Sequence, residues 1–136
     1  MRFACLAALL LAGCSDVADP GDALVGIYRG QERDALCIAR EGEGLKAGLI
    51  AYGDGDMNCS LSGPAQVRGN ALVIAPRGDS ECLVEISIAN GVATAGQRTA
   101  ACAYYCGPSA NFAGRNLSKS PDASTKMTDF AGDPLC

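Results

Sequence analysis

Short apolar stretches alternate with turn residues through most of this chain. Between about residues 24 and 94 they recur at roughly the 8 to 12 residue spacing of an antiparallel all-β domain. No segment there keeps the apolar period of about 3.6 residues that marks an amphipathic helix. The pattern predicts strands at residues 24–29, 35–40, 45–52, 58–62, 65–68, 71–75, 81–88 and 92–95.

Asn90-Gly91 is the clearest turn signal. A two-residue type I′ turn needs a positive φ at both central residues, which Asn and Gly tolerate. We therefore expect residues 81–89 to pair with residues 92–95. Alternation with a period of two predicts the core-facing side chains: Cys82, Val84, Ile86 and Ile88 in this hairpin, and Leu45, Ala47, Leu49 and Ala51 in residues 45–52.

Short strands joined in sequence favour a small antiparallel meander that closes into a barrel or a sandwich. We prefer the barrel because closure leaves no exposed sheet edge. Residues 99–107 are Ala-rich and end at Gly107-Pro108, which predicts a short helical turn. The segment 63–64, Gly-Pro, is expected to be a turn, and the polar chain from residue 118 onward is expected to fray.

The N-terminus has the composition of an export signal. Arg2 supplies one positive charge, and residues 3–12 form an apolar run too short for a spanning helix, which needs about 20 residues. The run ends in Leu11-Ala12-Gly13-Cys14. These four residues resemble the lipobox of bacterial lipoproteins, in which diacylglycerol is attached to the Cys thiol and signal peptidase II cuts before it. The resemblance implies that Cys14 is the lipid-modified N-terminus.

This resemblance also divides the chain into segments. Residues 1–13 are then a signal peptide, 14–23 a lipidated Cys with an acidic tether, 24–117 the β domain, and 118–136 a polar C-terminal tail. Residues 15–23 could extend about 30 Å, enough to lift the domain clear of the headgroups. Ser15 after the Cys resembles a signal for outer-membrane sorting. We therefore expect a protein of the bacterial envelope, anchored by lipid to the outer membrane and facing the periplasm, rather than to the inner membrane.

Six cysteines remain after Cys5 leaves with the signal peptide and Cys14 carries lipid: Cys37, Cys59, Cys82, Cys102, Cys106 and Cys136. Only 5% of the 136 residues are aromatic and 17 are Gly, so the predicted core is thin. An even number of cysteines in an oxidising compartment then predicts three disulfides. We expect the first three of these cysteines to face inward from strands. The spacing does not choose the connectivity, and the pairing of Cys136 is the least defined.

The pair Cys102-x-x-x-Cys106 admits three interpretations. A redox site would need two intervening residues in a thioredoxin-like setting. A zinc site would lack His and would compete with oxidation. We therefore favour structural bridging for both cysteines, with redox and metal roles as alternatives.

The chain contains no His and no Trp. Without imidazole it lacks the commonest general base near neutral pH and the commonest metal ligand, so we expect no enzyme, no metal and no cofactor. The net charge is −4 and the 11 basic residues are scattered, which argues against nucleic-acid binding.

Three local motifs only partly match catalytic or metal sites. Asp54, Asp56 and Asn58 begin like a calcium loop, but the later positions do not fit. Glu41 and Glu43 could pose as a glycosidase pair, yet they lie in a Gly-rich turn, where a solvated role is expected. The segment 107–111 fails the nucleophile-elbow pattern at its last position.

The most distinctive segment is 102–114. It holds two cysteines and four candidate binding residues, Tyr104, Tyr105, Asn111 and Phe112. Clustered aromatic residues braced by a bridge can form a recognition surface, or they can plug one end of a barrel. We favour the plug and keep the binding surface as the alternative.

These observations favour an envelope-anchored lipoprotein with a small non-enzymatic binding domain. The domain is loosely similar to the membrane-bound lysozyme-inhibitor lipoproteins, which implies a basic envelope protein such as a lysozyme as a partner. An acidic domain would attract such a partner by electrostatic steering. A structural or assembly accessory of the outer membrane is the other class considered.

Overall fold

Eight antiparallel strands form one closed sheet in the computed structural model of the chain, which describes residues 17–136. The strands are β1 (Gly26–Arg29), β2 (Ala35–Glu41), β3 (Gly44–Tyr52), β4 (Asn58–Arg68), β5 (Ala71–Ile74), β6 (Val84–Ala89), β7 (Val92–Arg98) and β8 (Asn116–Lys119). Each strand pairs with the next, and β8 returns to pair with β1. The predicted all-β meander closing into a barrel is confirmed.

Strand β8 closes the barrel and was not predicted. It pairs with β7 on one side and with β1 on the other, and the Ser120 N–H donates to the Ile27 carbonyl (2.7 Å) to extend the second seam. Its single apolar residue, Leu117, is fully buried. One apolar residue among polar neighbours gives too weak an alternation to predict a strand. The position of β8 is instead decided by its pairing with β1 and β7, which closes the sheet.

Aliphatic side chains fill the barrel interior, as expected for eight strands. The predicted core-facing sets are confirmed: Leu45, Ala47, Leu49, Ala51, Cys82, Val84 and Ile86 are buried, and Ile88 is half-buried at the rim. Two larger rings, Tyr28 and Phe112, complete the packing. The Tyr28 hydroxyl donates a hydrogen bond to the Leu24 carbonyl (2.9 Å), and burial raises the pKa of Tyr28.

The turn predicted at Gly63-Pro64 is wrong, because β4 runs through it without a break. A Cβ at Gly63 would overlap the Ala75 carbonyl oxygen, so the glycine lets the chain leaving β5 approach the strand closely. Pro64 donates no backbone hydrogen bond, but its carbonyl accepts one from the Ala75 N–H (3.1 Å). Glycine here serves close packing rather than chain reversal.

The two ends of the barrel differ in construction. At the turn end, tight turns after β2, β4 and β6 meet a first 3-10 turn, η1 (Asp22–Leu24). The predicted Asn90-Gly91 turn belongs to this end and is confirmed, with φ of 52° and 73°. At the loop end lie the longer segments 30–34, 53–57, 75–83 and 99–115. The last of these includes a second 3-10 turn, η2 (Ala100–Tyr105), which confirms the predicted helical turn.

The C-terminal tail packs on the barrel, and the expectation that it frays is wrong. Met127 and Leu135 are buried against Ile27 and Ile50 on the outer face of β1–β3. A Cβ at Gly48 would lie only 2.6 Å from the Leu135 carbonyl oxygen, so this glycine admits the tail. Ile50 makes β3 apolar on both faces because the tail covers its outer side.

All six cysteines of residues 17–136 form disulfides, which confirms the predicted three bridges. They join Cys37 to Cys136, Cys59 to Cys106 and Cys82 to Cys102. Two details of the prediction are wrong. Cys37 is buried beneath the tail on the outer face rather than facing inward, and Cys82 lies just before β6 rather than within it.

The predicted tether differs in its second half. Asp19 and Asp22 both pair with the Arg40 guanidinium (3.0 and 2.6 Å), and residues 22–24 form η1. These contacts hold the chain against the barrel from residue 19 onward. The part of the chain that could act as a tether is therefore shorter than the nine residues predicted, 15–23.

The predictions for Cys14, the signal peptide and the lipobox lie outside the described residues. Within residues 17–136, no helix has both the length and the apolarity to cross a membrane.

Removing the tail bridge should destabilise the entire domain. In Cys37→Ala/Cys136→Ala only noncovalent contacts retain the tail, and a bridge with a sequence separation of 99 residues is lost. We expect the free energy of unfolding to fall by about 3 to 5 kcal/mol, since a bridge that closes a long loop restricts the unfolded chain most. Urea denaturation followed by circular dichroism measures the change.

Lys126→Ala, at an exposed position in the same tail, is the control and should leave the denaturation midpoint unchanged. A double cysteine variant as stable as the parent would show that the Cys37–Cys136 bridge contributes nothing to the stability of the fold.

Candidate functional site

Carboxylates outnumber guanidinium groups in the segments of the loop end. These four segments carry three guanidinium groups, Arg33, Arg77 and Arg115, against six carboxylates: Glu32, Asp34, Asp54, Asp56, Asp79 and Glu81. Arg29 and Arg98, the last residues of β1 and β7, add positive charge at the same end. An excess of carboxylates favours the approach of a basic partner.

A partly buried ion pair ties two of these segments to the end of β3. Asp34 is only 5% exposed, and its carboxylate accepts hydrogen bonds from the Tyr52 N–H (2.7 Å) and the Arg115 guanidinium (3.1 Å). Arg115 also donates to the carbonyls of Tyr52 (2.8 Å) and Asn111 (3.0 Å). Both charged groups are satisfied, the condition under which a protein tolerates a buried carboxylate.

A polar cleft of about 340 Å³ opens beside this ion pair. Asp34 and Arg115 contribute to its wall, but each is engaged with the other and with backbone groups. These two residues therefore fix the loops rather than present free charge to a ligand.

Two disulfides hold η2 against the barrel. Cys102, within η2, bridges to Cys82, and Cys106, directly after η2, bridges to Cys59 in β4. Cys59 and Cys106 also form an isolated β-bridge. The short segment between Cys102 and Cys106 is thus fixed at both ends.

This fixed segment carries two aromatic rings. Tyr104 is 87% exposed, Tyr105 is half-buried, and the two rings meet edge to face with centroids 5.3 Å apart. Edge-to-face contact is a favourable arrangement for aromatic pairs. Because the two bridges fix the backbone that carries Tyr104, less conformational entropy is lost when a partner packs on its ring.

Asp79 connects this pair to the neighbouring loop. One carboxylate oxygen accepts a hydrogen bond from the Tyr105 hydroxyl (2.9 Å), and the other accepts from the backbone N–H groups of Glu81 (3.0 Å) and Cys82 (3.2 Å). The Tyr105 hydrogen bond is the main cause that lowers the pKa of Asp79, and the backbone donors lower it further. Desolvation, followed by the bond to Asp79, raises the pKa of Tyr105.

Tyr105 also lines a groove of about 290 Å³ between β4 and the C-terminal tail. Asp129 and Asp133 line the same groove from a tail turn, in which the Asp133 N–H donates to the Asp129 carboxylate (2.9 Å). Phe130 follows Asp129 in this turn and is 58% exposed. Arg77 lines the groove as well, but its guanidinium pairs with Glu41 (2.9 Å). Tyr104 and Phe130 are not part of the lining and are the exposed neighbours of Tyr105 and Asp129 in the chain. We call the groove together with these two neighbours the aromatic groove, defined by Tyr104, Tyr105, Asp129, Phe130 and Asp133.

The structure divides the predicted binding surface. Tyr104 and Tyr105 belong to the aromatic groove. Asn111 is exposed but contacts Arg98 (3.4 Å) and Arg115 instead. Phe112 is fully buried in the core, so its prediction as a surface residue is wrong, and it fills the barrel as the plug interpretation expected.

The partial motifs lie in exposed turns. Asp56, in the β3–β4 turn, pairs with Arg33 of the segment between β1 and β2 (3.0 Å). Glu41 pairs with Arg77 (2.9 Å). The Ser109 hydroxyl accepts a hydrogen bond from the Asp54 N–H (3.1 Å). Among residues 17–136, no group of three or more Cys, Asp or Glu side chains is placed to hold a metal ion.

Sequence reasoning missed the tail's contribution to the groove. Asp129, Phe130 and Asp133 are far from Tyr105 in sequence, and the tail was expected to be mobile. The pattern Asp-Phe-Ala-Gly-Asp before the final Cys was the available signal, because a Gly between two Asp residues is typical of a tight turn.

Comparison with protein-family models, with curated proteins and with solved structures finds no match to this chain.

The bond between Tyr105 and Asp79 should give stability a defined pH dependence. A lowered Asp79 pKa stabilises the fold at pH values above the ordinary carboxyl pKa of about 3.9, and this contribution is lost as the pH falls through the lowered value. A raised Tyr105 pKa adds stability below about pH 10 that is lost at higher pH. The stability difference between the parent and Tyr105→Phe should therefore be constant near neutral pH and shrink toward both extremes.

Denaturation midpoints measured across this pH range check the dependence. Tyr104→Phe, at the exposed neighbouring ring, is the matched control and should leave the acid side of the pH profile unchanged, because the hydrogen bond to Asp79 comes from Tyr105. A Tyr105→Phe profile parallel to that of the parent at every pH would contradict the assigned role of the bond.

Proposed function

We propose that this chain is an envelope-anchored lipoprotein whose barrel is a non-enzymatic binding domain, and that the aromatic groove binds a basic partner protein. The observation that carries the proposal is the exposed ring of Tyr104 packed on the half-buried Tyr105, in a segment fixed by two disulfides. Tyr105 lines a groove with two carboxylates, Asp129 and Asp133, of a second turn that bears an aromatic residue.

The state of the ionisable groups favours binding over catalysis. The buried carboxylate, Asp34, is committed to Arg115 and to the Tyr52 backbone. Asp79, beside the groove, has a lowered pKa, which disfavours the protonated form that a general acid needs. The chain has no His to replace them.

The groove's chemistry suits a Lys or Arg side chain. Carboxylates at Asp129 and Asp133 can pair with a cation, and the rings of Tyr104 and Phe130 can pack on its apolar stem or on its charged face. Aromatic residues are also enriched among the residues that carry binding energy at protein interfaces. A basic lysozyme is the partner we propose to test first, since it combines a cationic surface with an envelope substrate.

The anchor is the other half of the proposal. Leu11-Ala12-Gly13-Cys14 resembles a lipobox, and Ser15 favours the outer membrane. A lipid-anchored domain that uses disulfides for stability is suited to the oxidising periplasmic side of that membrane.

A lysis assay tests the groove directly. The native protein at micromolar concentration should slow the digestion of cell-wall material by a cationic lysozyme. Tyr104→Ala/Phe130→Ala and Asp129→Asn/Asp133→Asn should each raise the half-maximal concentration at least tenfold, because the first removes the packing surface and the second the charge. Glu43→Gln, an exposed carboxylate at the turn end, is the matched control and should change nothing.

The outcomes of the lysis assay distinguish specific binding of lysozyme at the aromatic groove from no interaction and from general charge attraction. Unchanged lysis together with no binding of the lysozyme at micromolar protein would contradict the lysozyme assignment. Equal losses in the groove variants and in Glu43→Gln would reduce the interaction to general charge attraction.

Intact mass of the protein isolated from bacterial membranes tests the anchor. We expect a chain that starts at Cys14 and carries the added mass of diacylglycerol. Cys14→Ser should abolish both cleavage at this site and retention in the membrane fraction. A Cys14→Ser protein that is still cut before residue 14 and stays membrane-bound would refute the anchor.

A further inference from the structure

The turn end of the barrel carries an apolar cleft of about 200 Å³. Its lining includes Pro20, Leu24, Val67, Leu72 and Ile88. Val67 is 39% exposed at this cleft. These side chains line the mouth of the barrel on the side where η1 enters.

A second apolar side chain is exposed at the same end. Val92, the first residue of β7 after the Asn90-Gly91 turn, is 38% exposed. It lies next to the hairpin tip, while the carboxylates and aromatic residues of the loop end lie at the opposite end of the strands. The turn end therefore presents apolar side chains from both β4 and β7.

The charges around this end balance. Asp19 and Asp22 share one cationic partner, Arg40, and Glu41 pairs with Arg77. Of the others, Glu43 is anionic, whereas Arg68 and Lys119 are cationic and direct their charged groups to the Gln66 side chain (3.2 Å) and the Ala23 carbonyl (2.7 Å). An end of this composition is not repelled by phosphate headgroups, although the whole chain is acidic.

The chain enters the barrel at this same end. Asp19 is held by Arg40, and Leu24 packs against the core. Asp19 is the fifth residue after Cys14, and five fully extended residue steps span at most about 18 Å. A lipid on Cys14 would keep the turn end, rather than the loop end, within that distance of the bilayer.

We propose that the turn end rests on the bilayer surface, with Val67 and Val92 in contact with lipid. This inference rests on the lipid anchor proposed above. A few partly exposed apolar side chains bind a membrane weakly by themselves, but the anchor makes their contact intramolecular and raises its effective concentration. The aromatic groove then points away from the membrane of attachment, where a periplasmic partner can reach it.

The absence of Trp from the chain gives the experiment a clean probe. Single Trp variants, Val67→Trp, Val92→Trp and Tyr104→Trp, are prepared as lipidated full-length proteins and reconstituted into phosphatidylethanolamine–phosphatidylglycerol vesicles. The acyl chains of these lipids are either brominated or unmodified. Circular dichroism first confirms that each variant has the spectrum of the parent.

Contact with lipid predicts at least twofold quenching by brominated chains for Val67→Trp and Val92→Trp, with little quenching for Tyr104→Trp. Equal, weak quenching at all three positions in a protein that mass spectrometry shows to be lipidated would overturn this orientation and leave the anchor intact. Stronger quenching at Tyr104→Trp would reverse the orientation. A protein that carries no lipid and does not join the vesicles would overturn the anchor, and the orientation with it.

Discussion

Three disulfides fix the two segments of this molecule, η2 and the C-terminal tail, that are not held by strand pairing in the barrel. Strand pairing builds the barrel, but η2 and the C-terminal tail lie outside the sheet and are each joined to it covalently. The sequence separations are 99, 47 and 20 residues, and bridges over such loops contribute about 3 to 5 kcal/mol each in the chain-entropy description. Proteins with larger cores gain stability mainly from side-chain burial. This chain has few aromatic residues and gains part of its stability from cross-links instead.

The same cross-links create a surface that neither element could form alone. Tyr105 comes from η2, whereas Asp129 and Asp133 come from the tail, and the groove exists because both segments are fixed on β4 and its neighbours. A preformed surface has less entropy to lose on binding than a pair of mobile segments. The tight turns at the opposite end leave room for the chain to enter, so the two ends of the barrel are available for different contacts.

Local patterns in the sequence predicted the barrel well because strand alternation and turn chemistry are short-range signals. Asn90-Gly91 and the alternating face of β3 follow from residues next to one another in the chain. Features that depend on distant residues were missed. Gly63 was predicted to form a turn because its close contact with the Ala75 carbonyl cannot be inferred from neighbouring residues. The position of β8 depends on the strands that it pairs with. The apolar residues of the polar tail pack on partners that lie about 80 to 100 positions earlier in the chain. The aromatic groove was only half predicted for the same reason.

Peptide mapping of the non-reduced protein tests this account most directly. Protease digestion and mass spectrometry should recover three linked peptide pairs, joining Cys37 to Cys136, Cys59 to Cys106 and Cys82 to Cys102. That connectivity is required for the tail and η2 to meet on the barrel. Recovery of Cys102 linked to Cys106, or of Cys136 as a free thiol, would contradict it, because the groove would then lose the restraints that bring its two halves together.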